Sequence, residues 1–320
     1  MDKILVIGAA GQIGSELILS LRKIYGNDQV VGSDKRSDLP AEIIHSGPFE
    51  TLDVLNKEAM SSVCKKHDIN IIVNLAAILS AVGEQHPKLA WDVNMNGLMN
   101  VLDLALEMKM KQVFVPSSIA AFGPGTPLDM APQDTILRPT TMYGVTKVAG
   151  ELLGDYYVKR FGLDVRGVRF PGIISHATLP GGGTTDYAVA IYYDAIKHKK
   201  YTCFVNEKTK LPMMYMPDCI KAVTDLMQAD FSKLKHHNGF NVASMSFTPV
   251  EITESIKKRI PEFSIDYKPD FRQAIADSWP DDLDDTAARE EWGWNPTYNL
   301  ELMTEDMLKN LKIKFEKGLF

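Results

Sequence analysis

A doubly wound parallel α/β sheet with a smaller C-terminal lobe is the fold class that this 320-residue sequence predicts. Three observations predict it. A first apolar run, Lys3-Ile4-Leu5-Val6-Ile7, passes directly into the glycine-spaced Gly8-Ala9-Ala10-Gly11-Gln12-Ile13-Gly14 and then into an amphipathic stretch from Ser15 to Tyr25, which reads as strand, turn and helix. Strand-like and helix-like patterns then alternate through residue 174. Farther on, Tyr143 and Lys147 stand four residues apart, so they share one face if residues 143 to 161 are helical.

In the first turn, Gly8, Gly11 and Gly14, with Gln12 and Ile13 between them, permit a tight bend. The helix N-terminus behind them offers unpaired N–H groups to a pyrophosphate. The second strand, Gln29 to Ser33, ends at Asp34, 20 residues after Gly14, where a carboxylate accepts hydrogen bonds from ribose hydroxyls. That carboxylate would repel a 2′-phosphate, which favours NAD over NADP. Lys35 and Arg36 are the opposing signal, or simply a solvated loop. A third strand, Ile69 to Leu75, ends in the small residues Ala76 and Ala77, and a helical pattern from Pro87 to Met110 carries Asn94 near its middle. The fourth strand, Lys111 to Pro116, delivers Ser117 and Ser118 to the carboxyl end of the sheet, where ligands bind in such folds.

Asp164 to Phe170 reads as one further strand, closed by Pro171-Gly172. Pro180 to Tyr187 reads as a loop able to close over a substrate, before a helix from about 188 to 198. Residues 217 to 229 look helical, and Gly239 to Ala243 looks like a strand returning to the sheet. From Pro249 come an amphipathic helix, a Pro- and Asp-rich stretch with Ser278-Trp279-Pro280, and a last helix from about 300 to 315. The predicted division is a Rossmann-type NAD-binding domain over 1–174, with 211–245 returning to it. Residues 175–210 and 246–320 form a substrate-binding, capping lobe.

Composition narrows the function. A chain that is 45% hydrophobic with net charge −6 and no concentrated basic stripe is suited to a buried core and a small-molecule substrate, not to nucleic acid or a membrane surface. Cys64, Cys203 and Cys219 are odd in number and widely spaced, which predicts neither a disulfide framework nor a zinc site. His45, His67, His86 and His176 stand alone, so no metal is expected. The first strand starts at residue 3, and a cytoplasmic protein is the expectation; a matured organellar form is compatible with the same sequence. Met95, Met99, Met108 and Met110 read as helix packing, and Met213, Met214 and Met216 suggest no function.

A Tyr-x-x-x-Lys match alone is common by chance, and its context is what lifts it. A free phenol titrates near ~10 and needs neighbouring positive charge to take a proton at neutral pH. Jointly, Gly8-x-x-Gly11-x-x-Gly14, Asp34, Asp53-Val54, Leu75-Ala76-Ala77, Asn94, Ser117-Ser118 and Tyr143-x-x-x-Lys147 resemble the extended short-chain dehydrogenase/reductases, in order and in spacing, over essentially the whole chain. The resemblance implies NAD as cofactor, Asp53 and Val54 at adenine, and Asn94 holding main chain beside the cofactor. It also implies Lys147 at the nicotinamide ribose and Tyr143 as catalytic base. Ser118, 25 residues before Tyr143, would be the hydroxyl that orients the reacting oxygen, with Ser117 close enough to share or take that role.

Three further stretches resemble the branch of that family made of short-chain L-threonine 3-dehydrogenases: Leu79 to Glu84, Gly183 to Ala188, and Ser278-Trp279-Pro280 followed by Glu291 to Pro296. By that resemblance Ser80, Ser117, Thr185 and Trp279 would surround L-threonine, with Thr184 as a substitute for Thr185. The implied reaction is oxidation of the C3 hydroxyl to 2-amino-3-oxobutyrate. The family also implies a homodimer through a four-helix bundle, for which Val101, Leu104, Ala105, Leu152, Leu153 and Tyr156 are candidates. The rival enzyme is a nucleotide-sugar epimerase or dehydratase. Phe170 to Ile174 lacks that class's asparagine, and Ile119 and Ala120 stand where a dehydratase needs an acid. A rival of another class is an NAD-binding sensor or scaffold without catalysis, which would be expected to lose Tyr143, Lys147 or the serine.

Overall fold

The computed structural model describes residues 2–37, 40–179 and 181–320; Pro180 of the predicted closing loop lies outside them. Nine strands precede the lobe: β1 (Ile4–Ile7), β2 (Val30–Asp34), β3 (Phe49–Thr51), β4 (Ile71–Asn74), β5 (Gln112–Phe114), β6 (Ser117–Ser118), β7 (Val165–Arg166), β8 (Val168–Phe170) and β9 (Gly172–Ile174). Five follow: β10 (Lys200–Cys203), β11 (Leu211–Tyr215), β12 (Phe240–Asn241), β13 (Met245–Phe247) and β14 (Ser264–Tyr267). The central sheet has six parallel strands in the order β3-β2-β1-β4-β5-β7. The strand order reverses between β1 and β4, the point at which doubly wound sheets open a crevice at their carboxyl ends. Both β1 and β4 are buried along their full length because helices cover both faces, which is why they read as uninterrupted apolar runs.

The first helix spans Gln12–Tyr25, three residues earlier than the amphipathic pattern suggests. Its start is set by close approach. A Cβ on Gly14 would lie 2.2 Å from the Gly8 carbonyl oxygen, so the helix sits directly on its strand and the last glycine belongs to it. The 87–110 pattern is not one helix. It runs as Pro87–Trp91, a π-helical turn at Asp92–Asn96, and Gly97–Glu107. Such wide turns recur at functional positions, and this one carries Asn94.

The single strand expected over 164–170 is two strands with different partners. β7 pairs with β5, whereas β8 pairs with β6 and β12. Gly167 makes the step, because a Cβ there would lie 2.1 Å from the Val115 carbonyl oxygen. Nor does Pro171-Gly172 end the sheet: β9 starts at Gly172 and pairs in parallel with β11, which in turn pairs antiparallel with β13. Met213 and Met214 on β11, and Met216 just after it, are buried. Met213 and Met214 thus lie in a core strand, hidden because Pro212 and unbranched methionines replace the β-branched run that marks β1 and β4.

Farther along the chain, β10 pairs with β14, and the helix Leu300–Glu316 packs on Tyr187–Lys197, where the Tyr192 and Thr304 hydroxyls meet at 2.7 Å. Residues 286–294 fold elsewhere. Trp294 is buried in the apolar cluster that contains Ile4, Val6 and Phe240, and its Nε1 donates to the Ala243 carbonyl at 2.9 Å. The candidate dimer residues also divide. Val101, Leu104 and Ala105 pack against the sheet in one buried cluster, with Leu153 partly buried against it, so they are not available to a partner; Leu152 and Tyr156 are 64% and 52% exposed. No helix among the described residues is long and apolar enough to cross a membrane.

Candidate active site

At the nucleotide end, Gly8 has φ +84°, and both its N–H and that of Ala9 donate to the Ser33 carbonyl, at 2.8 and 2.9 Å. A Cβ on Gly8 would touch the main chain of Leu75 and Ala76 at 3.0 Å, so the turn and the end of β4 close together only with glycine there. Gly8, Gly11, Gln12, Ile13, Gly14, Leu75 and Ala77 line one end of a cleft enclosing about 230 Å³. Asp34 is buried at the end of β2. Its Oδ2 accepts from Ala10 N at 3.0 Å and its Oδ1 from Arg36 N at 3.0 Å. The Arg36 guanidinium reaches back to Asp34 and donates to the Ala10 carbonyl at 2.5 Å, while Lys35 is exposed. The Arg36 charge is thus spent on the turn and on Asp34, which leaves the carboxylate beside the ribose position and fits NAD.

Asp53 and Val54 are the residues expected at adenine. Asp53 is exposed and its carboxylate accepts from Leu55 N, and the Val54 side chain is buried facing Gly97, so neither side chain lines the cleft. Asn94 holds main chain as anticipated: Oδ1 accepts from Ile78 N at 2.8 Å, while Nδ2 donates to Ile78 O and to the Thr146 hydroxyl, both at 3.1 Å. With Ala76, it borders a second, smaller cavity behind Lys147.

The helix Met142–Phe161 begins at Thr141, whose hydroxyl accepts from Gly144 N at 3.1 Å. A Cβ on Gly144 would fall 2.2 Å from the Ala120 carbonyl oxygen. Glycine after Tyr143 therefore lets the helix start lie against the end of β6 and brings Tyr143 beside Ser118. The Lys147 ammonium sits 5.3 Å from the centre of the Tyr143 ring and donates to the Pro116 carbonyl at 2.7 Å. Burial pushes the Tyr143 phenol up to about 12, partly offset by the Ser118 hydroxyl. Burial lowers Lys147 to about 8, against the pull of the Glu151 carboxylate. Both shifts oppose ionisation, so Tyr143 needs added positive charge to act as a base.

The adjacent serines separate. Ser118 lines the cleft, with Oγ accepting from Ala120 N at 3.2 Å. Ser117 also borders the cleft, but its hydroxyl donates to Glu151. At the far end, the buried Ser80 and Thr184 hydroxyls meet at 3.2 Å, Thr185 lies half-buried over Gly172, and the buried Trp279 closes the wall. Asp186 is a residue the motifs did not single out. Its Oδ2 accepts from Gly182 N and Gly183 N at 2.7 and 2.8 Å, and burial raises its pKa against those bonds. Asp186 is the only acidic side chain lining the cleft, and Lys147 the only basic one, among the described residues. Glu84 was also unassigned; its carboxylate accepts from Met142 N at 2.7 Å, joining the Ser80 helix to the catalytic helix.

Residues 4–243 match the NAD dependent epimerase/dehydratase family. The chain belongs to that family. It is an extended short-chain dehydrogenase/reductase, and NAD is its cofactor. An uncharacterized epimerase/dehydratase of Staphylococcus haemolyticus is 51% identical over 98% of this family member and 99% of its own length. Among solved structures, L-threonine dehydrogenase from Clostridium difficile is 54% identical with TM-score 0.95, covering 98% of each chain. The enzyme from Phytophthora infestans is 50% identical with TM-score 0.94, covering 98% of this chain and 100% of that one. A UDP-glucose 4-epimerase from Thermotoga maritima is 20% identical with TM-score 0.85, covering 99% of this chain and all of its own, and shares the fold.

Proposed function

We propose that this NAD-dependent oxidoreductase oxidises the C3 hydroxyl of L-threonine to 2-amino-3-oxobutyrate. One observation carries the reading: the far end of the cleft is lined by Ser80, Thr184, Thr185 and Trp279 together with Asp186, the one acidic residue in its lining among the described residues. An α-amino acid brings an ammonium for that carboxylate. A sugar nucleotide brings none, and its diphosphate would be repelled. The L-threonine dehydrogenases among the solved relatives support the same assignment.

In this reading Ser118 orients the C3 hydroxyl and Tyr143 takes its proton. Gly8, Gly11 and Gly14 would hold NAD, which when bound would supply the hydride acceptor and added positive charge for the phenol. Lys147, fixed by the Pro116 carbonyl, keeps a second positive charge on the phenol and reaches toward the ribose position. Thr184 and Ser80 offer hydroxyls to the carboxylate, Asp186 faces the ammonium, and Trp279 excludes water. Positioned proton transfer of this kind contributes roughly 10²–10⁴-fold in rate. We assign residues 1–174 and 211–245 to the NAD-binding domain and most of the remainder to a capping lobe, in a cytoplasmic enzyme. A homodimer would use the exposed Leu152 and Tyr156 on the catalytic helix.

The deciding experiment follows nicotinamide reduction with NAD and, in parallel, L-threonine, L-allo-threonine, L-serine or a UDP-sugar. Rapid reduction with L-threonine is expected. Silence with every amino acid alongside interconversion of the UDP-sugar would sink the assignment in favour of an epimerase. Silence with all of them would favour a non-catalytic sensor.

A further inference from the structure

The catalytic helix carries another buried carboxylate, which the reaction just outlined does not use. Glu151 lies one turn beyond Lys147, so the two side chains share a helix face. Arg169 on β8 grips it with two bonds, Nε to Oε1 at 2.9 Å and Nη2 to Oε2 at 2.8 Å. Oε1 also accepts the Ser117 hydroxyl. Arg169 is itself held by the Gln133 carbonyl at 2.8 Å and by Asn241 Oδ1 at 3.1 Å, and Asn238 Nδ2 donates to the Glu151 carbonyl at 2.7 Å. Between Glu151 and Lys147 lies a cavity of about 30 Å³, also bordered by Asn94, Thr146, Ser117 and Asn238. Polar groups surround enough space there for one or two water molecules.

A buried ion pair is a poor source of stability, because desolvating both charges offsets most of their attraction. This pair, however, faces the lysine of the active site and takes one of two adjacent serine hydroxyls. We propose that Glu151 is a positioning residue: clamped by Arg169, its carboxylate supports the Lys147 ammonium across the small polar cavity and holds the Ser117 hydroxyl on itself, leaving Ser118 to face the substrate. The proposal rests on Tyr143 and Lys147 acting as derived above. Glu151 is the charge that opposes the effect of burial on Lys147. The other groups facing Lys147 are Tyr143, Ser118 and the Pro116 carbonyl, with Asp186 lining the same cleft. Around Glu151 stand Arg169, Ser117 and, one turn on, Asp155, which feels His236 and His237.

The test measures, in cofactor-free protein, how acetylation of Lys147 by acetic anhydride depends on pH, read on its peptide by mass spectrometry. Glu151→Gln keeps an acceptor for Ser117 but removes the charge, and is expected to move the Lys147 midpoint down by about one pH unit, a tenfold change in the ammonium-to-amine ratio. Glu151→Asp should return the midpoint toward that of the unaltered protein. The alkaline limb of kcat with L-threonine should move with the labelling. One midpoint shared by all folded variants would leave only a structural brace and overturn the proposal. If Glu151→Gln does not fold, the double variant Glu151→Gln/Arg169→Gln leaves no orphaned charge. Because losing the Arg169 charge acts in the opposite sense, its midpoint is compared with that of Arg169→Gln alone: the double variant should titrate lower, and equal midpoints are equally fatal. Failure of the unaltered protein to oxidise L-threonine would sink the substrate assignment and leave the labelling test standing.

Discussion

The nucleotide end of the cleft is built chiefly from main chain: Gly8 at φ +84° and the N-terminus of the Gln12–Tyr25 helix, with the Asp34 carboxylate held behind them by Ala10 N. The substrate end is walled by side chains from segments far apart in sequence: Ser80, Ser118, Tyr143, Thr184 to Asp186, and Trp279. A main-chain wall is set by local conformation and tolerates few changes of residue type. A side-chain wall depends on packing, and each of its members can be altered singly. The first suits a cofactor common to a whole family. The second suits a substrate that varies within it.

Substitutions sharpen that contrast. Tyr143→Phe should show the largest effect, a loss of roughly 10²–10⁴-fold in kcat with NAD affinity retained, because the hydroxyl lies at the side-chain end. Near-normal turnover in a folded variant would remove Tyr143 as the base. Asp186→Asn keeps an acceptor for Gly182 and Gly183 but loses the charge, so KM for L-threonine should rise about 10–100-fold while NAD affinity is unchanged. Equal losses against 3-hydroxybutyrate, which has no ammonium, would show that Asp186 only holds its loop. Ser118→Ala should lower kcat by up to about tenfold. Ser117→Ala should instead act chiefly on the melting temperature, since it removes one of the two bonds to Glu151 Oε1 and leaves only Arg169 Nε there. The reverse order would return the orienting role to Ser117.

A further effect appears in stability and not in rate. Lys147 titrates at about 8 in the fold, against an ordinary value of 10.5. Below pH 8 it is charged in both the folded and unfolded states, and the full penalty of burying that charge is present. Between pH 8 and 10.5 the unfolded chain holds more protons, so stability rises with pH there, by at most ~3 kcal/mol and less where water enters the cleft. Denaturation of the cofactor-free protein and of Lys147→Met across this range isolates the effect as a difference. A flat difference would mean that Lys147 is not desolvated.

Local signals and long-range packing were unequally legible. The glycine turn, Asp34, the buried strands β1 and β4, and the helix bearing Tyr143 and Lys147 follow from short patterns, because strand, turn and helix preferences act over a few residues. Helix and strand limits shifted where a distant main chain intervened, as at Gly14 and Gly167. β11 escapes the pattern that reveals β1 and β4 because Pro212 and the unbranched Met213 and Met214 stand where those strands carry β-branched residues. Val101, Leu104 and Ala105 suited either a partner or the sheet, and only packing chose the sheet.

Sequence alone determined the class of fold, the cofactor end and the Tyr143–Lys147 pair, since each is written in residues that are neighbours along the chain. Tertiary structure decided the partners of the two serines, because the Ser117 hydroxyl is claimed by Glu151, which arrives from another element 34 residues away. It also decided that Asp186 is the one acidic residue lining the cleft among the described residues and that Val54 packs on Gly97. Such outcomes depend on which buried polar groups find partners after the chain has closed, and that is a property of the assembled core.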